Sequence, residues 1–110
     1  MANLFGVFEV SKNNYSHHPA LVVDKKTYSY LDLYSGALQM GYLLQKLVGD
    51  QIGILASRSY SAYTGILGTL ASGKTYVPLN TRFSVFRNQL ILDLANIKVL
   101  VVDAQGLQYI

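Results

Sequence analysis

The sequence predicts an α/β fold, a mainly parallel sheet with flanking helices, preceded by an antiparallel hairpin. Three observations carry this reading. Short runs of strand formers alternate with longer stretches of helical period, in the order β-β-α-β-α-β-α-β. The last three strand runs are separated by helix-length segments, and such alternation gives right-handed crossovers and parallel neighbours. The first two strand runs are separated only by Asp24-Lys25-Lys26, so they read as a hairpin, although no Asn-Gly or Asp-Gly marks its turn.

Along the chain, Leu4 to Val10 is a short apolar stretch that reads as a helix or an irregular packing segment. Lys12 to Pro19 is polar, ends in His17-His18-Pro19, and reads as a loop. The hairpin strands are Ala20–Val23 and Thr27–Tyr30. From Leu31 the period becomes helical, with Leu33, Ala37, Met40, Leu44, Leu47 and Val48 on one face and Gly49 ending the helix. Gln51 to Ala56 is apolar enough for a buried strand. Ser59 to Ala71 is a second helix, with Tyr60, Tyr63, Ile66, Leu67 and Leu70 at i, i+3, i+4 spacing, Ser61, Ala62, Gly65 and Ser72 permitting close packing against neighbours, and Gly73 as its left-handed stop. Thr75 to Leu79 is a strand. Ser84 can cap a third helix, whose Phe86, Leu90 and Leu94 align on one face flanked by Phe83 and Ile97. Lys98 to Asp103 is the last strand. No repeat, low-complexity tract or linker interrupts this order.

Composition narrows the function classes. With 110 residues this is one small domain or a piece of a larger one, and 51% apolar against 14% charged residues is lean cover for a small free-standing core. Some apolar surface is therefore expected to face something else. The nine basic residues behind the net charge of +3 are scattered, whereas a nucleic-acid binder gathers them into a stripe. The nine tyrosines fall mostly at core-facing or strand positions, which favours packing over base stacking. Absent cysteines exclude a disulfide framework and thiolate metal sites. No apolar run reaches the ~18 residues of a membrane span, and Met1-Ala2-Asn3-Leu4-Phe5 lacks the basic start of a signal peptide. The expectation is a cytoplasmic protein with no nucleic-acid or membrane partner.

One segment imitates a nucleotide site. Gly68 to Thr75 spells G-x-x-x-x-G-K-T, the spacing of a phosphate-binding loop, and Val99 to Asp103 imitates the accompanying apolar strand and aspartate. A phosphate loop needs strand, then glycine turn, then helix, so that N–H groups and the helix dipole meet the anion. Here a helix precedes the glycine and Tyr76-Val77-Pro78-Leu79 follows it. A helix begun at Lys74 would carry Pro78 inside it, at a cost of about 3 kcal/mol. The glycine closes a helix instead of opening one.

The same residues carry a family resemblance. Leu70-Ala71-Ser72-Gly73-Lys74-Thr75-Tyr76-Val77-Pro78-Leu79-Asn80 resembles a core motif of adenylate-forming enzymes, Leu-Lys-Ala-Gly-x-Ala-Tyr-Val-Pro-Ile-Asp. Tyr28-Ser29-Tyr30-Leu31-Asp32-Leu33 is similar to that family's first core motif, and Ile52 to Ser59 to its strand-into-helix segment Val-Gly-Ile-x-x-x-Arg-Ser. Phe83 to Asp103 resembles its Pro-x-x-Arg-x-x-x-Leu helix and following strand. The match covers about residues 18–104 and is nearest to the amino-acid adenylation domains of nonribosomal peptide synthetases. Tyr28, Asp32, Asn80 and Ser84 depart from the usual leucine, glutamate, aspartate and proline.

The resemblance implies an N-terminal portion, residues 1–110, of a ligase that joins a carboxylate to the α-phosphate of ATP and passes the acyl group to a thiol. It also implies that the phosphate loop, the catalytic lysine and the small mobile domain lie outside these residues. ATP and magnesium belong to the complete family enzyme, and no cofactor is assigned to this portion. No catalytic, cofactor-binding or metal residue is assigned. His17 and His18 read as a solvated loop, Lys74 as a helix-end cation, Arg58 and Arg87 as solvated helix residues, and Asp103 as a strand-end turn residue. The expected function is a fragment inert by itself, with the remainder of a split synthetase or a second copy as partner. Alternatives are a non-catalytic docking module for a synthetase and a small nucleotide-binding α/β domain.

Overall fold

The computed structural model describes residues 4–108; Met1–Asn3 lie outside the described residues. Ten elements follow one another: α1 (Leu4–Tyr15), β1 (Pro19–Val23), β2 (Lys26–Ser29), α2 (Tyr30–Gln45), β3 (Gln51–Leu55), α3 (Tyr60–Ala71), β4 (Thr75–Pro78), α4 (Val85–Leu94), β5 (Val99–Val102) and α5 (Ala104–Leu107). The antiparallel pair β1-β2 stands apart from a three-stranded parallel sheet ordered β4-β3-β5. The α/β class, the hairpin and the parallel sheet match the sequence reading; the apolar stretch from Leu4 is the helix α1, and the short helix α5 is added after β5.

The hairpin turns on Asp24 and Lys25, both left-handed at φ 50° and 66°. Two consecutive positive φ values are what a two-residue turn needs to match strand twist, and here they are reached without glycine. At the next boundary Ser29 closes a capping box. Its Oγ accepts from the Asp32 N–H at 3.0 Å, and its own N–H donates to Asp32 Oδ2 at 3.2 Å. The aspartate that replaces a longer acidic residue still reaches.

Ile52 lies between Tyr76 and Val99, and Ile54 between Pro78 and Val101. These central residues pack on Leu44 of α2, with Met40 and Ile66 alongside. Burying each such aliphatic side chain contributes about 1.5–3 kcal/mol. Pro78 is tolerated because β4 is an edge of this sheet.

Four details differ from the sequence reading. Lys12 to Tyr15 are helical, not loop. The polar end of α1 is held from outside: Lys12 Nζ sits 4.2 Å from the centre of the Tyr34 ring, and Phe8 meets Tyr30 and Tyr34. Second, α2 stops at Gln45, so Leu47 and Val48 lie past its end and are exposed, while Gly49 takes φ 116° in the following turn. Third, α3 buries its small face, Ala62, Thr64, Gly65, Gly68 and Thr69, and leaves the larger Tyr63, Ile66, Leu67 and Leu70 half-buried. Close approach of α2 dictates this. A Cβ at Gly68 would stand 2.7 Å from Met40 Cβ. Fourth, the Phe86, Leu90 and Leu94 face of α4 is exposed, and only Asn88 of that helix is buried.

Candidate functional site

Parallel α/β sheets gather ligands at the C-terminal ends of their strands, and a cleft of about 700 Å³ lies there, beyond β3 and β5. Lys26 and Tyr28 of the hairpin, Arg58, Ser59 and Tyr60 at the start of α3, and Asp103 after β5 line it. Asp103 is its hub. Oδ2 accepts from the Ser57 N–H (2.9 Å), the Ser57 hydroxyl (2.8 Å) and the Ser59 hydroxyl (2.9 Å), and Oδ1 accepts from the Gly106 N–H (2.7 Å). Burial pushes this carboxyl up, but the donors at Gly106, Ser57 and Ser59 outweigh it and hold the group below its ordinary value.

This geometry defines the available chemistry. Both serine hydroxyls donate to a carboxylate that is capping a helix, and no histidine is among the cleft residues. The Ser–His pairing that activates a nucleophile is not formed here. Tyr28 and Tyr60 stack with centroids 4.4 Å apart, with Lys26 Nζ 5.2 Å over Tyr28. Burial, then Tyr28 and Asp32, pushes the Tyr60 hydroxyl up, away from use as a base near neutral pH. The cleft joins the hairpin, α3 and α5 to the sheet and presents Arg58 to solvent.

The remaining residues singled out in the sequence are dispersed. Lys74 does serve a helix end, but that of α2: Nζ donates to the carbonyls of Leu44 (2.8 Å) and Leu47 (2.7 Å). Gly73, at φ 78°, closes α3 in a Schellman motif, with its N–H bonded to the Leu70 carbonyl and that of Lys74 to Thr69. Gly68 is mid-helix. The phosphate-loop spelling is thus divided among a helix packing face, a helix stop and a cap. Arg87 is exposed and stacks on Phe83 at 3.9 Å. His17 and His18 are exposed, with His18 against Tyr15. Among the described residues no group of three metal-ligating side chains occurs, and no helix is long and apolar enough to cross a membrane.

Sequence reasoning missed the Ser57–Ser59–Asp103 cluster and the tyrosine stack. A Ser-x-Ser following a strand and opening a helix was the available signal for the first. The second joins residues 28 and 60 across the fold and has no local signature.

Comparison with known proteins gives the same fold and more. A family model described as AMP-binding enzyme matches residues 8–109, a wider span than the motifs alone mark. Surfactin synthase subunit 1 of Bacillus subtilis (strain 168) is 34% identical over 90 residues, 79% of this chain and 2% of that synthase. Tyrocidine synthase 3 of Brevibacillus parabrevis is 32% identical over 100 residues, 88% of this chain and 2% of its own length. Among solved structures, the Vibrio cholerae adenylation domain AlmE, captured with glycyl-adenosine-5'-phosphate, superposes with a TM-score of 0.84 at 29% identity, over 99% of this chain and 21% of AlmE. The Klebsiella oxytoca NpsA N-terminal subdomain shares the fold at a TM-score of 0.83 and 23% identity, over 92% of this chain and 27% of that one.

Proposed function

This chain belongs to the AMP-binding enzyme family, as an N-terminal part of an adenylation domain of the nonribosomal-peptide-synthetase type, and from that premise we propose that it serves an ATP-dependent ligase activating an amino acid as its acyl-adenylate. The chemistry of that reaction lies in the rest of such a ligase, and these residues by themselves do not adenylate. The observation that carries the reading is the engagement of Lys74 and Asp103, the two groups best suited by spelling to meet a nucleotide and its metal. One caps α2 and the other caps α5 and anchors β3 and α3.

Adenylate formation draws on positioned cations and phosphate cradles to absorb developing charge. The residues present do not fit Mg-ATP in that way, so no step is assigned to them. Their contribution is a braced parallel sheet behind the reacting groups. A cysteine-free chain whose described helices are too short to cross a membrane is compatible with a cytoplasmic setting, which belongs to the same proposal.

Calorimetry with Mg-ATP tests this. The expected affinity of the 110-residue chain is millimolar or weaker, about −4 kcal/mol at most. Lys74→Met is expected to leave that value unchanged while costing about 1 kcal/mol of stability through the lost carbonyl bonds at the end of α2. Micromolar affinity abolished by the same substitution would restore the phosphate-loop reading.

A further inference from the structure

We propose that α1 is a releasable strap: it lifts off α2 as a unit, pivoting at Ser16–His18, with Tyr34 of α2 as its latch. Phe5, Phe8, Glu9 and Lys12 stand at i, i+3, i+4 and i+7, so they share one face of α1. All four meet Tyr34. The Phe5 and Phe8 rings lie 5.8 Å and 6.2 Å from the Tyr34 ring, centre to centre, and the Tyr34 hydroxyl donates to Glu9 Oε2 at 2.7 Å. Lys12 Nζ sits 4.2 Å from the centre of the same ring. The clasp is broad but shallow. No residue of α1 is buried, and the Glu9 bond is exposed to water, where charged contacts are screened.

Without the clasp α1 has little to keep it helical. Its 12 residues include Gly6, Asn13 and Asn14, and a lone helix of that length is marginal in water even when built from better helix formers. Nor does it interlock with its neighbours as α2 and α3 do. A Cβ at Gly68 would stand 2.7 Å from Met40 Cβ, whereas one at Gly6 meets nothing within 4 Å. The pivot, by contrast, is tied by backbone. The Leu31 N–H donates to the Ser16 carbonyl at 2.9 Å and the Tyr30 N–H to the His18 carbonyl at 3.1 Å. Segments with few buried contacts and exposed hydrogen bonds open well below the free energy of global unfolding. Release of α1 bares the rings of Tyr30 and Tyr34 while the hairpin and the Ser29 capping box stay in place, so the strap sets access to that aromatic face.

Native-state hydrogen exchange of the 110-residue chain tests this. The amides from Phe8 to Tyr15 are expected to share one protection factor, about tenfold or more below those of the central strand β3. The Tyr30 and Leu31 amides at the pivot should stay better protected than those of α1. Tyr34→Ala should lower the protection of α1 a further fivefold, roughly, by removing the ring contacts and the Glu9 bond together. Phe8→Ala should act in the same direction, and β3 should be unchanged in both variants. Protection of α1 equal to that of β3 would overturn the proposal, because the helix would then open only with the whole fold. Protection that falls steadily toward Leu4 would overturn it too, since that is fraying and not release as a unit. So would substitutions that leave α1 unchanged, that lower α1 and β3 together, or that prevent folding, because a latch on a separable strap is dispensable to the rest.

Discussion

Replacing Gly68 with leucine is expected to destabilise the fold by about 3 kcal/mol or more, a large share of what a domain this size possesses. Helices α2 and α3 meet almost backbone to backbone. A Cβ at position 68 would lie 2.7 Å from both Cβ and Cγ of Met40 and 3.0 Å from the Ala37 carbonyl oxygen, and a Cβ at Gly41 would lie 3.0 Å from the Gly68 carbonyl oxygen. Intrinsic propensity works in the opposite sense, since glycine in a helix interior costs about 0.8–1 kcal/mol relative to alanine. Packing wins because backbone cannot move aside as a flexible side-chain tip can. Urea unfolding should show a lower midpoint with little change in slope. Gly6→Ala on α1, where a Cβ meets nothing within 4 Å, should shift the midpoint slightly upward.

The second large effect concerns Asp103. Its carboxylate accepts from Ser57, Ser59 and Gly106 and so joins the end of β3, the start of α3 and α5 to the end of β5. Truncation by Asp103→Ala is expected to cost about 3 kcal/mol, because several bonds to a charged acceptor are lost together and do not add independently. The effect has a pH signature. The folded carboxyl titrates below its ordinary value of 3.8, so the charged form is favoured in the native state. Its stabilisation is complete above the unfolded pKa and disappears as pH falls through the depressed folded value. Thermal melts of the wild type and Asp103→Asn should therefore differ most above about pH 5 and converge as the solution is acidified below about pH 4. A constant difference across that range would mean that the group does not titrate as this geometry requires.

How much of this was legible in the sequence depends on how local each cause is. Gly73 as a helix stop and Ser84 as a cap are written in one residue and its immediate neighbours, and both are found in those roles. The parallel order follows from the alternation of strand and helix lengths. The Lys12–Tyr15 turn was not legible, because its support comes from Tyr34 and Tyr30 on another helix. The packing face of α3 was legible in part, through Ala62 and Gly65, while Gly68 and Thr69 were not singled out. Hydrophobic spacing favours the side with the largest residues, but the crossing with α2 leaves room only for glycine, alanine and threonine. In α4 the spacing was right: Phe86, Leu90 and Leu94 share one face, and that face is exposed. Lys74 was read as a helix-end cation, but nothing nearby in sequence could show that the helix is α2.

The central claim is that these residues form the structural N-terminal part of an amino-acid-activating ligase and leave the chemistry to the rest. Glycine-dependent ATP–pyrophosphate exchange measures it most directly, using AlmE whose matching segment is replaced by this chain, beside the chain alone. The account predicts that the chimera keeps glycine-dependent exchange and that the isolated chain gives none above background with any amino acid. A folded chimera without exchange, or reproducible exchange by the 110 residues alone, would contradict it.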